Sequence, residues 1–348
     1  MRRAGAMGRG PSGGRGGEVP GAPPARGCDA FARAGIDPEA ARDLASACPV
    51  RLDVMAPMRD LTSFRTGGPA ALFARPGDPE ELAAVSGFAA ANGIPFLLMG
   101  AGTNLLADDM GFRGLAARLS GGLAGVRYLD GDAGGRGATR VLAGAGAPLS
   151  AVCDMARAAG RSGWARLRGI PGTVGGALVM NAGAHGTETG DLAVRARVLV
   201  DGTARDVTAA EAGFRYRGSD LGSGGVVLEA ELLLGGEAPE EDIRAAERAA
   251  LDSRRLRLPP EPSAGSVFRN PEGGSAGRLI DGCGLKGTGI GGALISPRHA
   301  NVIVNSGGAT SSEVRALADL ARREVLKRFG VELAPEVLML DLWGVCYT

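Results

Sequence analysis

The chain has 348 residues, enough for two or three domains with a sizeable core. Its 39 basic residues against 38 acidic ones leave a formal net charge of +1, which offers no electrostatic footprint for nucleic acid or an anionic membrane. With only His185 and His299 a histidine-rich metal site is excluded, the five cysteines include no CxxC pair, and no apolar run reaches the ~18 residues of a membrane span, so a cytoplasmic protein without a bound metal is expected.

Residues 1–27 are rich in Arg, Gly and Pro and lack the apolar region of a secretory signal; a disordered tail is expected, or a true start at Met7 or later. Asp37 followed by Pro38 predicts a short helix as far as Ala47. Asp78-Pro79-Glu80-Glu81 reads as a capping box opening a helix with Leu82, Val85 and Phe88 or Ala89 inward, stopped by Asn92-Gly93. A buried strand follows over Pro95–Met99 and runs into Gly100-Ala101-Gly102-Thr103-Asn104. Short strands are expected at Val126–Leu129 and Val141–Ala143, and a helix from Pro148 with Leu149, Val152, Met155 and Ala159 on one face. Val194–Val200, the turn signal Asp201-Gly202 and Val226–Leu234 make the next stretch β-rich. Gly235-Gly236 marks a candidate domain seam. Pro239 to Leu256 reads as a charged helix with Glu240 and Arg244 at ion-pair spacing. Thr310-Ser311-Ser312-Glu313 is a second capping box, ahead of a helix with the stripe Val314, Leu317, Ala321, Val325 and Phe329 and a stop at Gly330.

Glycine is in excess, 59 residues against an ordinary usage of about 7%, and much of it falls in ordered runs. Gly100-Ala101-Gly102-Thr103-Asn104-Leu105-Leu106 leaves a strand with small residues whose N–H groups are free to face an anion; a plain strand-to-loop turn is the other reading. It has neither the Rossmann glycine spacing nor the GK[ST] of a P-loop. Gly169-Ile170-Pro171-Gly172-Thr173-Val174-Gly175-Gly176-Ala177, continuing to Gly186, is poor packing material. It fits a backbone that comes close to a long planar cofactor with a pyrophosphate. In Phe214-Arg215-Tyr216-Arg217-Gly218-Ser219 two arginines lie two apart, so on a strand they would share a face. Ser266 sits in a tight aromatic-flanked segment, and Glu336 at the start of a final apolar strand; a cap or an ordinary salt bridge remains open for each.

Taken in order, Thr62-Ser63-Phe64-Arg65-Thr66-Gly67-Gly68-Pro69, Gly100–Leu106, Gly169–Gly186, Tyr216-Arg217-Gly218-Ser219, Gly265-Ser266-Val267-Phe268-Arg269-Asn270-Pro271, Gly284-Leu285-Lys286-Gly287, His299–Asn305 and Pro335-Glu336-Val337 form a series. It resembles the UDP-N-acetylenolpyruvoylglucosamine reductase (MurB) family over about residues 37 to 340. The resemblance implies an α+β fold: an FAD-binding domain of the vanillyl-alcohol-oxidase (PCMH) type over 28–238, made of two α+β subdomains (about 28–125 and 126–238), then a C-terminal α+β substrate-binding domain over 239–348. It implies non-covalent FAD, NADPH as hydride donor and a sugar-nucleotide substrate, with hydride passing from flavin N5 to the terminal enolpyruvyl carbon.

By the same resemblance the catalytic residues fall on Arg217, on Ser266 as proton donor and on Glu336. Cofactor contacts fall on Ser63, Arg65, Gly67, Gly100, Ala101, Gly102, Thr103, Asn104, Leu105, Gly169, Ile170, Gly172, Thr173, Gly175, Gly176, Asn181 and Gly183. Substrate contacts fall on Arg269, Asn270, Lys286 and His299. The few residues between Ser219 and Val226 leave no room for a tyrosine-bearing loop, so the shorter subtype is expected. Two alternatives stay open: an FAD-dependent hydroxy-acid oxidoreductase of the same fold, and a non-catalytic sugar-nucleotide-binding protein.

Overall fold

The computed structural model describes residues 42, 45–131, 135–200, 202–223, 225–342 and 346–347. The N-terminal tail and Cys28 lie outside them, as does most of the helix expected from Asp37, of which Ala45–Ala47 are helical.

The first sheet is built from β1 (Leu52–Pro57), β2 (Pro69–Ala74), β3 (Phe96–Leu98) and β5 (Phe112–Ala117), in the order β1-β2-β5-β3. β1 and β2 pair antiparallel, while β5 pairs parallel to both β2 and β3. Parallel pairing needs a crossover, and α1 (Pro79–Ala91) supplies it. Leu82, Val85 and Ala89 turn inward as its period requires. The Asp78 carboxylate caps the helix by accepting from Glu81 N–H, but the Glu81 side chain reaches back to Gly77 N–H at 2.8 Å instead of closing the box on Asp78. Between β3 and β5 lies β4 (Leu105–Leu106), which leaves this sheet altogether.

The second sheet is antiparallel throughout, in the order β11-β10-β12-β7-β6: β6 (Val126–Tyr128), β7 (Arg140–Gly144), β10 (Ala193–Val200), β11 (Thr203–Thr208) and β12 (Val226–Leu233). β10 and β11 form a hairpin around the expected turn, whose Asp201 is outside the described residues. α2 (Leu149–Ala158) and α3 (Val174–Val179) cover its core side, where Trp164 is fully buried and its indole N–H donates to Leu233 O at 2.8 Å. A small ribbon of β8 (Gly183–Ala184) and β9 (Thr187–Glu188) follows α3.

The Gly235-Gly236 pair is a close-packed crossing. Ser162 N–H donates to Gly236 O at 2.9 Å and Gly163 N–H to Leu234 O at 3.1 Å, and a Cβ on Gly235 would lie 2.5 Å from Gly163 Cα. The next helix, α4 (Glu240–Arg257), carries the expected Glu240–Arg244 pair at 2.8 Å. It packs back on α2, where buried Glu247 meets Arg157 at 2.8 Å.

The C-terminal part holds α5 (Ala276–Gly282), the antiparallel strands β13 (Gly289–Ile290), β14 (Ala293–Ile295) and β15 (Ile303–Asn305), and α6 (Ser311–Phe329). α6 is opened by the full Thr310/Glu313 capping box and ended by Gly330. The last strands, β16 (Leu338–Leu340) and β17 (Cys346–Tyr347), return to the beginning of the chain: β16 pairs parallel with β4, Leu338 opposite Leu105 and Met339 opposite Leu106. Phe64 and Leu106 consequently sit in the core of the C-terminal part. Among the described residues no helix is long and apolar enough to cross a membrane.

Candidate active site

The two glycine-rich segments, 68 residues apart at their closest pairing, meet face to face. Thr103 Oγ1 donates to Pro171 O at 3.3 Å, and a Cβ on Gly100 would lie 2.6 Å from Thr173 Oγ1. Gly102, at φ +70°, passes so close to Leu61 O that no side chain fits there. This carbonyl is also held: Arg118, the residue after β5, donates to Leu61 O at 2.7 Å and to Gly100 O at 2.9 Å. Burial lowers the Arg118 pKa and nearby Arg75 adds to it. Ser63 donates through N–H and Oγ to Gly102 O at 3.0 and 3.4 Å. Thr173 turns its oxygen to Gly176 N–H as the cap of α3.

Among the described residues, the backbone N–H groups of Gly100 to Asn104 and of Gly169 and Gly172 meet no acceptor in the protein. Unpaired donors on a concave loop are what an anion needs, so the residues present fit the diphosphate of FAD. Gly172 and Gly176 have room above their backbone, whereas Gly100, Gly102, Gly169, Gly175 and Gly183 pack against protein atoms and let the segments approach one another.

The side chains of Asn104 and Asn181 tie the cradle to segments outside it. Asn104 Nδ2 donates to Glu336 O at 3.0 Å. Asn181, only 2% exposed and at φ +42°, donates to Glu188 Oε2 at 2.6 Å and to Arg215 O at 3.1 Å, and accepts from Gly190 N–H at 2.9 Å.

Arg215 and Arg217 do not lie on a strand and do not share a face. Arg215 and Gly218 exchange backbone hydrogen bonds at 2.9 and 3.1 Å, which makes Tyr216 and Arg217 the tip of a tight turn. Arg217 sits at φ +55°, and the left-handed conformation sends the two guanidiniums apart. Arg215 pairs with Asp220 at 2.6 Å, and Arg217 Nε with Glu336 Oε1 at 2.9 Å. Both members of the second pair are largely buried, 23% and 17% exposed. Burial pushes the Glu336 carboxyl above its ordinary pKa, and the charges of Arg217 and Arg269 offset only part of that.

Glu336 lies two residues before β16, not within it. Its N–H donates to Val267 O at 2.8 Å, which sets it beside the Ser266 segment. Buried Asn301 grips the same segment from the other side, accepting from Phe268 N–H at 3.0 Å and donating to Phe268 O at 2.8 Å. Ser266, half-buried behind Gly265 at φ +74°, keeps a hydroxyl with no partner among the described residues.

The structure therefore brings Arg217, Ser266 and Glu336 together, with Arg269 close enough to act on Glu336. The other residues expected at the substrate are more scattered. Asn270 Oδ1 accepts from Ala276 N–H at 3.1 Å, and Lys286 pairs with Asp281 at 2.8 Å. His299 Nδ1 accepts from Asn301 N–H at 3.2 Å, placing the proton of a neutral ring on Nε2. Burial, then the charges of Arg257 and Lys286, lower its pKa. Sequence reasoning missed Arg118 and Asn301. A charged residue closing an apolar strand was the available signal for Arg118; for Asn301 no local one exists.

Two comparisons of sequence and one of structure bear on this arrangement. Residues 258–340 match the C-terminal domain of UDP-N-acetylenolpyruvoylglucosamine reductase, and residues 70–208 match an FAD binding domain. The UDP-N-acetylenolpyruvoylglucosamine reductase of Anaeromyxobacter sp. (strain Fw109-5) is 42% identical over 288 residues, 82% of this chain and 87% of that protein. The one from Rubrobacter xylanophilus is 40% identical over 283 residues, 81% and 92% of the two chains. The crystal structure of that reductase from Thermus caldophilus superposes with a TM-score of 0.70 at 35% identity, covering 83% of this chain and 98% of its own.

Proposed function

The chain belongs to the UDP-N-acetylenolpyruvoylglucosamine reductase family, and from that premise we propose that it reduces the enolpyruvyl ether of UDP-N-acetylglucosamine to UDP-N-acetylmuramate, a precursor of peptidoglycan, with NADPH as reductant. It is an FAD-dependent oxidoreductase. The observation that carries the reading is the convergence of Arg217, Glu336 and Ser266 beside a cradle with unpaired N–H donors. We read 28–125 and 126–238 as the two cofactor subdomains and 239 onward as the substrate unit.

On this reading FAD would be held by the Gly100–Leu105 loop, the Ser63–Gly67 turn and the Gly169–Gly183 run, which the unpaired N–H donors of Gly100 to Asn104 and of Gly169 and Gly172 support. Bound there, FAD supplies the hydride for the terminal enolpyruvyl carbon. The remaining work belongs to side chains. As that carbon gains hydride, charge builds on the substrate carboxylate. Arg217 offers it a planar fork: Nε is committed to Glu336 and the two terminal nitrogens remain to hold both carboxylate oxygens. Donors fixed in advance at developing charge are usually the largest catalytic contribution. Glu336 holds the guanidinium in place and orients the substrate beside it. Ser266, with its hydroxyl unspent, delivers the proton to the inner carbon; a hydroxyl is a weak acid, but the acceptor is a strong base. Arg269, Asn270, Lys286 and His299, though more scattered, are read as the contacts to the sugar nucleotide and its phosphates.

The test is direct. The purified protein should carry a yellow flavin and oxidise NADPH when the enolpyruvyl sugar nucleotide is added. A chain that takes up no FAD overturns the reading, and a flavin-bound chain that oxidises hydroxy acids but ignores this substrate replaces it.

A further inference from the structure

The geometry points to Asn104 and Asn181 as positioning residues that carry the seating of the two cradle walls to the Arg217–Glu336 pair, an inference that rests on the function proposed above. Each wall ends in one asparagine, and each asparagine holds the backbone of one member of the pair. On the first wall, Asn104 Nδ2 donates to Glu336 O at 3.0 Å. The Asn104 carbonyl accepts from Leu338 N–H at 3.0 Å, and the β4–β16 ladder begins at the next residue. On the second wall, α3 ends at Val179 and Asn181 follows it, donating to Arg215 O at 3.1 Å. That carbonyl is part of the turn whose tip is Arg217. The walls join at the same spot: Met180 Sδ lies 4.0 Å from Asn104 Nδ2.

Both polar atoms of the Asn181 side chain are engaged within the protein, and the residue adopts φ +42°, which asparagine tolerates better than most residues. A ligand seated between the walls fixes their separation, and through these two amides it fixes the 2.9 Å contact between Arg217 and Glu336. A misplacement of about 1 Å at such a site costs on the order of a hundredfold in rate.

The experiment uses the holoenzyme with Asn104→Ala and Asn181→Gly, glycine being chosen because it accepts φ > 0 without strain. Flavin affinity is read by absorbance titration, and the NADPH and sugar-nucleotide half-reactions separately by stopped flow. Because both asparagines belong to the cradle and coupling is reciprocal, flavin affinity should fall somewhat, but by much less than sugar-nucleotide turnover, and with flavin saturating the NADPH half-reaction should stay near wild type. The sugar-nucleotide half-reaction should slow by about ten- to a hundredfold, with kcat falling and KM for the sugar nucleotide nearly constant. In a double-mutant cycle, Asn104→Ala should add little once Glu336→Gln is present, since both act on one group.

Flavin affinity falling in step with turnover, or equal slowing of both half-reactions, would overturn the inference in favour of simple cofactor contacts; so would full additivity with Glu336→Gln. If Asn181→Gly fails to fold, the Asn104 cycle decides alone. A wild-type chain without flavin or without sugar-nucleotide turnover overturns the proposed function and this inference together, whereas an active wild type with indifferent variants overturns only this one.

Discussion

Ser266 has a hydroxyl with no partner among the described residues, on a segment clamped by Asn301 on one side and Glu336 N–H on the other. Those clamps act on backbone, so removing the hydroxyl leaves the segment in place. Ser266→Ala should therefore leave NADPH-to-flavin reduction near wild type and slow the substrate half-reaction by about a hundredfold or more, the usual worth of a positioned proton donor. Rapid-mixing traces of the two half-reactions check this, and equal slowing of both would remove Ser266 from the proton-transfer role. The arginines illustrate the opposite case. Their spacing invites a shared face, but one left-handed residue at the turn tip separates them into a surface pair with Asp220 and a buried pair with Glu336.

At the scale of elements, the first sheet and the C-terminal part are fastened at a helix end. The Asp109 carboxylate accepts from Ser311 N–H at 2.6 Å and from Ser312 N–H at 2.9 Å at the start of α6, which also favours a negative charge there. Burial pushes its pKa up, but the Ser312 hydroxyl and the two N–H groups outweigh that, and the net shift is downward. A carboxyl with a lowered folded pKa contributes stability above its unfolded value and loses it as pH falls toward the folded one. Asp109→Ala should cost about 1 kcal/mol at neutral pH, and the gap to wild type should close as pH drops below about 4. Denaturant melts at a series of pH values measure it; a gap that widens in acid would contradict the assignment. Nearby, Asn305 Nδ2 reaches Phe64 O at 3.0 Å, so the same joint is tied twice.

For the whole molecule, the proposed cofactor cradle combines loop segments near residues 63, 100 and 170, and the walls meet through few direct bonds. A ligand between them binds the folded state alone. Stripping the flavin should lower the Tm, and restoring it to about a hundred times its Kd should return about 2.7 kcal/mol of stability. A Tm indifferent to flavin would mean that the cradle is not formed by these segments.

Much of this was legible in the chain itself. Periodicity placed the helix faces, apart from Phe329, which is 42% exposed at the end of α6; the Thr310–Glu313 box and Gly330 marked both ends of that helix, and the ordered glycine and motif blocks announced a flavin-binding reductase. These are signals of short range, set by steric preference and by burial at intervals of two to four residues. The partners of the polar side chains were not legible. Asn104 and Glu336 are 232 residues apart, and Asn305 and Phe64 are 241. Nothing local tells an asparagine whether its amide will face a ligand or a distant carbonyl. Only the packing of the two sheets against the returning C-terminal strand decides it, because that packing shields the amide from water and brings distant acceptors within reach.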